Sequence, residues 1–589
     1  MWIKVLANSA IGRDSERYRT GSATLDRGLR SEDPASPESW SIEEERRARA
    51  LHRARLARMG KKRIARAIRR SWKGATKIRR VCWVYGFAAS ISVAVFVLFW
   101  CTNVFRDAIL ANLEIRNGTP TFLLWQRPPV GLVVKVYVFN YTNLAEFESG
   151  TASKLRVEEV GPYVYRETLS RVNVDVNANR TVTYQEKRSF QWISGKSEKE
   201  KVTVPNALLM STIAYSRNLQ YLAQIVLTMF LSGLQAKPFI ELPVGEYLWG
   251  YEDQLFRMAK PFASFHHRMP YDKFGILAFR QGVSADRITM HTGAGDLRNL
   301  GLIQRINGQE YGRIWGDDEC DRINGTDGSM FPPHWLQQPN STIYVYAQDL
   351  CRHLPFRYEF PYTDTDCRRY KLPSDVFTPS RNADSCFCPK ESHDSTTRRC
   401  PPAGTFNISA CKFGTPLIVS FPHFYAADRS LFQRIDGLTP SRVDHESYID
   451  LHPRLGITVD ARLRIQLNLE VRKANGVPLS GNLEDGSILP LIWVDSGIDE
   501  VPESIQQIFH RGHYLANAIE AGFQWCSLIC AILFLGALIA TLKQEGCVND
   551  NDDDDDDNGN ANDDPMNAKS AYPLESKLAA SNRIEVERS

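Results

Sequence analysis

The side chains with chemistry to offer in this chain are cysteines, histidines and glycan-accepting asparagines, and their spacing points away from catalysis. Seven of the twelve cysteines fall between Cys320 and Cys411, a density typical of an oxidising compartment. His266, His267, His334, His423 and His445 are spread without metal-ligand spacing, and there is no G-x-S-x-G elbow, H-E-x-x-H helix or Walker loop. His423 sits in an apolar run and is expected to be a satisfied structural residue. His445, between Asp444 and Glu446, is expected in a solvated turn. Six N-x-[ST] sequons, at Asn117, Asn140, Asn179, Asn324, Asn340 and Asn407, lie in the same central part of the chain as the cysteine cluster. No catalytic residue, cofactor or metal is expected, and the protein is not read as an enzyme.

The elements that must carry these residues are set by two apolar runs, 81–101 and 521–542. The first holds 21 uncharged residues, which as a helix is roughly 31 Å long, the thickness of a bilayer's hydrocarbon core. Both are read as transmembrane helices, since an internally bonded helix is the form an apolar segment takes in lipid. The first is too long and too far from the N-terminus for a cleaved signal peptide, and it lacks a small-residue cleavage site. They divide the chain into a head, 1–80, a middle, 102–520, and a tail, 543–589.

Charge is unevenly shared. The head carries 22 basic and 9 acidic residues, the tail 5 basic and 13 acidic, which leaves the middle near neutral and gives no sign of a nucleic-acid partner. Sixteen Lys or Arg and no acid stand between Arg46 and Arg80, so the positive-inside rule places head and tail in the cytoplasm and the middle outside. The sequons and cysteines of the middle agree with that. Residues 1–45 read as disordered. The stretch 46–80 reads either as a basic amphipathic helix on anionic inner-leaflet lipids or as a solvated topology signal. The Asp-rich tail reads as disordered and shows no clear sorting signal.

Within the middle, period-2 alternation dominates and predicts antiparallel sheet. In 461–471, Leu463, Ile465, Leu467, Leu469 and Val471 alternate with Arg464, Gln466, Asn468 and Glu470, which predicts a strand with the aliphatic face buried. Strands are also predicted over 131–143, 181–192, 341–348, 415–424 and 487–495, and a helix leaving the first span and ending near Gly118. One stretch departs from this pattern. Residues 207–234 are helical in composition and unusually apolar, with Leu219, Leu222, Ile225, Val226, Met229 and Phe230 at spacings of three and four. Gln220, Gln224 and Gln235 argue against a third span. Two readings remain: a buried helix pair, or an apolar surface that meets lipid or a partner.

Several runs together carry a resemblance. They include Asn117-Gly118-Thr119, Trp125, Pro128-Pro129, the run from Glu158 to Glu167 (EEVGPYVYRE), Leu248-Trp249-Gly250-Tyr251, Cys320-Asp321-Arg322-Ile323-Asn324-Gly325-Thr326-Asp327, Phe331-Pro332-Pro333, Cys386-Phe387-Cys388 and Ser420-Phe421-Pro422-His423-Phe424. In this order, over about residues 81 to 545, the chain resembles the class B scavenger receptors: fatty acid translocase, the lysosomal integral membrane proteins and the insect sensory neuron membrane proteins. The resemblance implies a two-pass protein whose α+β ectodomain has an antiparallel β-barrel core, short helices, an apical helical bundle at 207–234 and a hydrophobic tunnel toward the membrane. It also implies disulfides Cys320–Cys386, Cys351–Cys411 and Cys388–Cys400, and assigns no pairing to Cys367. A zinc site is the runner-up for Cys386-x-Cys388. The basic head and Asp-rich tail depart from the family's short ends.

The function expected is a cell-surface receptor. It would bind lipids, lipoproteins, carotenoids or similar ligands at Leu219, Leu222, Ile225, Val226, Met229, Phe230, Arg217 and Lys237, and pass them through the tunnel to the membrane. The alternative is a protein- or particle-recognition receptor, for clearance or lysosomal escort, without lipid transport. The plasma membrane is the expected site, with a lysosomal or endosomal membrane as the alternative, and a homo-oligomer is left open.

Overall fold

A computed structural model describes residues 79–553 apart from 264–272, 339, 360–366, 380–384, 390–397 and 499–502, and with them residues 61, 62, 66, 69 and 77. The readings of 1–45 and of 554–589 therefore lie outside the described residues, as do His266 and His267. Four helices matter here: α1 (Arg79–Cys101), α2 (Ala207–Ser216), α3 (Tyr221–Gly233) and α4 (Glu503–Asp553). Among the described residues two stretches are long and apolar enough to cross a bilayer, α1 and the part Ala518–Lys543 of α4. With 13 residues, about 20 Å of helix, α3 is too short to span.

By contacts the chain forms a large unit, Ser92–Ile529, and a small one joining the chain up to Ile91 with the chain from Cys530. In the small unit Cys82 Sγ lies 3.4 Å from Thr541 Oγ1, and the rings of Tyr85 and Phe534 are 6.5 Å apart. In the large unit Phe99 stacks on Phe523 at 4.8 Å, and the amide of Gln524 donates to the Phe99 carbonyl at 3.1 Å. Gln524 is the one interior glutamine of the second span, and a polar group in hydrocarbon is costly unless bonded.

The core of the large unit is one sheet. Eleven of its strands make a continuous path: β1 (Leu132–Tyr141), β2 (Leu155–Val176), β3 (Thr181–Gly195), β4 (Ile288–His291), β5 (Ile303–Ile306), β6 (Thr342–Ala347), β7 (Arg352–Tyr358), β8 (Arg368–Lys371), β9 (Tyr448–Leu451), β10 (Thr458–Glu470) and β11 (Ile488–Gly497). The spatial order is β5-β4-β3-β2-β1-β11-β10-β9-β8-β7-β6. Every neighbouring pair is antiparallel, as the alternating sequences predict.

Such a path leaves two raw edges, β5 and β6. Two adjacent residues bond them, Gly325 to β5 and Thr326 to β6. Ile303 N–H donates to the Gly325 carbonyl at 2.9 Å, Thr326 N–H to Tyr344 at 3.0 Å, and Tyr346 N–H to Thr326 at 2.9 Å. Gly325 can lie there because it has no side chain: its φ is +101°, and a Cβ would meet the Tyr344 carbonyl oxygen at 2.6 Å. The next residue, Asp327, is tied inward by a buried ion pair with Arg171 of β2 at 2.6 Å and by the Tyr184 hydroxyl of β3 at 3.2 Å. The Cys320-to-Asp327 run therefore closes the sheet into a near-barrel.

Two local expectations change. The helix after α1 ends at Ala111, not near Gly118, and a second short helix, Pro120–Gln126, begins at an Asn-Gly-Thr turn capped by Thr119. In β10 the buried residues include the amides, with Gln466 and Asn468 fully buried while Leu463 is exposed. Gln466 accepts from His423 N–H at 2.6 Å and donates to Asn468 at 2.7 Å, and Asn468 donates to the Ile418 carbonyl and to Ser420. The irregular segment crossing that face needs hydrogen-bond partners that alkyl groups cannot supply.

Three disulfides close, Cys320–Cys386, Cys351–Cys411 and Cys388–Cys400, with Cα separations of 6.0, 5.9 and 4.8 Å. Half-buried Cys367 stands outside these three pairs. The first two link residues 66 and 60 apart and the third residues 12 apart. Replacing both cysteines of the first pair by serine is expected to cost about 4 kcal/mol, and of the third about 3 kcal/mol. Thermal unfolding of the purified variants, in that rank order, checks this.

Candidate functional site

The apolar stretch 207–234 resolves into two helices with opposite exposure. Helix α2 starts where Asn206 accepts from Leu209 N–H at 3.0 Å and donates to the Lys237 carbonyl at 3.1 Å, which ties its start to the chain returning from α3. Its residues Leu209, Met210 and Ile213 join the barrel-side core with Val134, Val136 and Val138 of β1. This helix is the buried member expected of the pair.

Helix α3 is turned inside out. Gln224, 7% exposed, and Leu231, fully buried, face the protein, while Leu222, Val226 and Met229 are 75, 66 and 72% exposed. Leu219, Ile225 and Phe230 are exposed as well, so all six apolar residues singled out in the sequence stand on one surface. Tyr215 and Tyr221, not singled out there, enlarge it. The inversion is held by a polar clamp. Gly476 N–H donates to Gln224 Oε1 at 2.8 Å, Thr228 Oγ1–H donates to the Gly476 carbonyl at 2.6 Å, and Gln224 Nε2 donates to the Leu219 carbonyl at 3.0 Å. A Cβ at Gly476 would meet Gln224 at 2.6 Å. The signal for this clamp was present in the sequence as a Gln and a Thr four residues apart in an otherwise apolar helix. Clustered exposed apolar side chains on this scale mark an interaction site.

The two cations differ. Arg217 is 3.6 Å from Asp485, which also accepts from Lys473 N–H, so its charge is partly answered within the protein. Lys237 is exposed and lies just beyond α3.

The disulfide-bonded cysteines offer no metal ligand. Asp317, Cys320 and Cys386 have donor atoms within 4.8 Å of one another, but both sulfurs belong to one disulfide and provide no thiolate. The zinc reading of Cys386-x-Cys388 falls for the same reason, since each sulfur is bonded to a different cysteine.

The histidines form a buried cluster instead. His423 Nε2 lies 2.5 Å from Glu159, its Nδ1 accepts from Thr439 N–H at 3.1 Å, and Trp493 donates to the same Glu159 oxygen at 2.7 Å. Nδ1 being an acceptor, the Nε2 proton points at the carboxylate. Burial would raise the Glu159 carboxyl, but the His423 and Trp493 hydrogen bonds outweigh it and hold the group below the usual range. His445 is not in a solvated turn. It is buried, stacks on His423 at 5.0 Å and accepts from Ser441 N–H at Nδ1. Burial and the neighbouring His423 lower it to about 4.

The sequons separate by environment. Asn117, Asn179, Asn324 and Asn340 are exposed. Asn140 is half-buried in β1 and accepts from Thr203 N–H at 2.8 Å. Asn407 is 4% exposed and accepts from Ser409 N–H and Oγ.

Against known proteins, the model of the CD36 family matches residues 84–542. Scavenger receptor class B member 1 of Sus scrofa is 29% identical over 484 residues, covering 80% of this chain and 92% of that protein. Lysosome membrane protein 2 is 30% identical in Homo sapiens, covering 67% of this chain and 81% of that protein. In Mus musculus it is 31% identical, covering 69% and 84%.

Two outcomes follow from these environments. Glutamine at Asn117, Asn179, Asn324 or Asn340 is expected to remove one step each from an endoglycosidase mobility ladder, and glutamine at Asn407 none. For His445, the unfolded chain binds the extra proton below its ordinary pKa near 6.5, while the folded chain refuses it down to about 4. Stability is therefore full above about pH 6.5 and falls toward pH 4, by roughly 3 kcal/mol from this group. Unfolding midpoints between pH 7 and 4.5 are expected to fall less steeply in His445→Gln.

Proposed function

The chain belongs to the CD36 family, and from that membership we propose a cell-surface scavenger-type receptor that takes up hydrophobic ligands and delivers them to the bilayer. Its middle lies outside the cell, and head and tail lie in the cytoplasm. The relatives' names, a class B scavenger receptor and a lysosome membrane protein, support a plasma-membrane site with a lysosomal membrane as the other possibility. The proteins of this family act as receptors, and the reading needs no catalytic group.

The observation that carries the proposal is α3. A helix whose polar residues are clamped inward and whose aliphatic residues face solvent gains nothing from that exposure in isolation. At about 25 cal/mol per Å² of apolar surface, covering Leu222, Val226 and Met229 with a lipid chain is favourable by a few kcal/mol. The proposed route from there runs through the near-barrel. An eight-stranded barrel is just filled by its own side chains, and barrels of more strands have room for a ligand, which is why a path of eleven strands supports such a route. A dry conduit of that kind lowers the barrier to transfer, because each exposed methylene costs about 0.8 kcal/mol in water. In this reading Lys237, exposed just beyond α3, is the cation for a carboxylate head.

Leu222→Ser, Val226→Ser and Met229→Ser together are expected to weaken binding of a fluorescent fatty acid at least tenfold, given about 0.5 kcal/mol or more per partly covered side chain. The thermal midpoint is expected to stay within a few degrees of the parent, because these side chains are largely exposed. Saturable uptake by cells expressing this triple variant, at the parent's rate and half-saturation, would overturn the proposal.

A further inference from the structure

The short helix Pro120–Gln126 turns Phe122 and Trp125 into the core and leaves Leu123 and Leu124 59 and 56% exposed. Pro120 and Arg127 are exposed as well, and the spacings of three and four place all four residues on one face. That face is apolar and ends in a cation. Exposed leucines taken singly are ordinary surface. What distinguishes this pair is its height above the bilayer, which contacts from both spans fix.

Trp100 of α1 and Trp525 of α4 are half exposed and meet edge to face at 5.7 Å. Tryptophan concentrates where hydrocarbon gives way to headgroups, so the pair marks the outer boundary of the apolar layer. From Trp525, Glu520 is about 7.5 Å farther along α4, and a headgroup layer is about 5–8 Å thick. Glu520 is held at 3.6 Å by Arg454, in the turn between β9 and β10. The next residue, Leu455, packs on the cluster that contains Phe122 and Trp125. The α1 side leads to the same cluster. Phe105, in the helix Val104–Ala111, lies 6.4 Å from Phe99 of the span, and Leu110 of that helix joins the cluster. Just past that helix, the Asn112 carbonyl accepts from Thr121 Oγ1–H at 2.6 Å. Two independent connections thus hold the helix Pro120–Gln126 close above the spans.

We propose that Leu123 and Leu124 insert into the outer leaflet of the membrane that the chain's own spans cross, with Arg127 at the level of the lipid phosphates. A helix with one apolar face and a cation beside it is the form that lies in a membrane interface. The lipid-facing surface of α1 leads up to it, since Trp100 and Val104 are exposed in turn. The seat gives the large unit a third point of attachment beside its two spans, and so restrains its tilt on the bilayer. The sequon Asn117 precedes the helix at the end opposite Arg127, the end that faces water in this arrangement. The proposal rests on the two-span reading of the chain but not on which ligand the receptor binds.

The test uses the full chain in phosphatidylcholine nanodiscs, with an environment-sensitive fluorescent amino acid placed by codon suppression at Leu123, at Leu124 or, as reference, at Val97 of α1. In lipid brominated near the headgroup end of its acyl chains, emission at Leu123 and Leu124 is expected to lose at least half as much as at Val97. Aqueous iodide is expected to quench both reporters several-fold less than the free amino acid. Free quenching by iodide with indifference to brominated lipid would overturn the proposal. Protection from both quenchers would assign the pair to a protein contact, a second copy of this chain included, and overturn it as well. A second measurement removes any pull of the reporter itself. Amide hydrogen exchange over 123–127 is expected to be several-fold slower in the unlabelled parent than in Leu123→Asp with Leu124→Asp, at equal thermal midpoints, and equal rates would sink the idea. The Val97 reporter separates the two failures: quenched there but not at Leu123 and Leu124, the seat alone is wrong. If brominated lipid leaves Val97 untouched, the two-span reading falls and takes this proposal with it.

Discussion

The large unit depends on how its sheet ends. Eleven strands in line present two rows of unpaired amides and carbonyls, and such edges invite pairing with other chains. Here one short run satisfies both. Thr326 bonds to β6 on one side, Gly325 to β5 on the other, and Asp327 is anchored to Arg171 within β2. A disulfide at the start of that run, Cys320 to Cys386, holds it in place. The closure is thus a covalently pinned plug in the seam, and its composition follows: glycine where backbone must approach backbone, threonine to bridge, aspartate to meet a buried cation.

The sheet and the segments packed on it bury more than aliphatic side chains. The buried set contains amides, histidines and paired charges as well as aliphatics, including Gln466, Asn468, His423, His445, Arg171 and Glu167. Polar groups packed this deep are tolerated only when bonded, and the His423–Glu159–Trp493 and Gln466–Asn468–Ser420 chains show the bonding. Such a network fixes one arrangement of irregular segments against the sheet, which aliphatic packing alone specifies less sharply.

How much of this was legible depended on whether a residue's environment was set locally. The spans, the antiparallel class and most strands came from runs and period-2 alternation that sterics and hydropathy enforce within ten residues. The six apolar positions from Leu219 to Phe230 were legible as one surface because helical spacing puts them together. What sequence could not show was direction. The alternation in β10 identified a strand but assigned its buried face to leucines, because the segment that bonds Gln466 lies 43 residues away. Helix α3 was ambiguous for the same reason, since the group that turns Gln224 inward is Gly476, 252 residues distant. His445 looked solvated beside two acids, and only the fold stacks it on His423.

The inverted helix and the paired spans answer one physical problem from two ends. An apolar ligand leaving water needs a surface that is already dehydrated in part, and a helix that is stable while displaying aliphatics requires its polar side to do the holding. The clamp of Gln224, Thr228 and Gly476, with Leu231 buried beside it, does that and leaves the opposite face exposed. At the other end the domain must stay fixed to the bilayer. Phe99 on Phe523 and Gln524 on the Phe99 carbonyl join helices α1 and α4 within the apolar spans, where a side-chain amide has few other partners. The exposed apolar face of α3 and the pairing of α1 with α4 are therefore both secured by glutamine side chains bonded to backbone, in places where a leucine would have been the locally favourable choice.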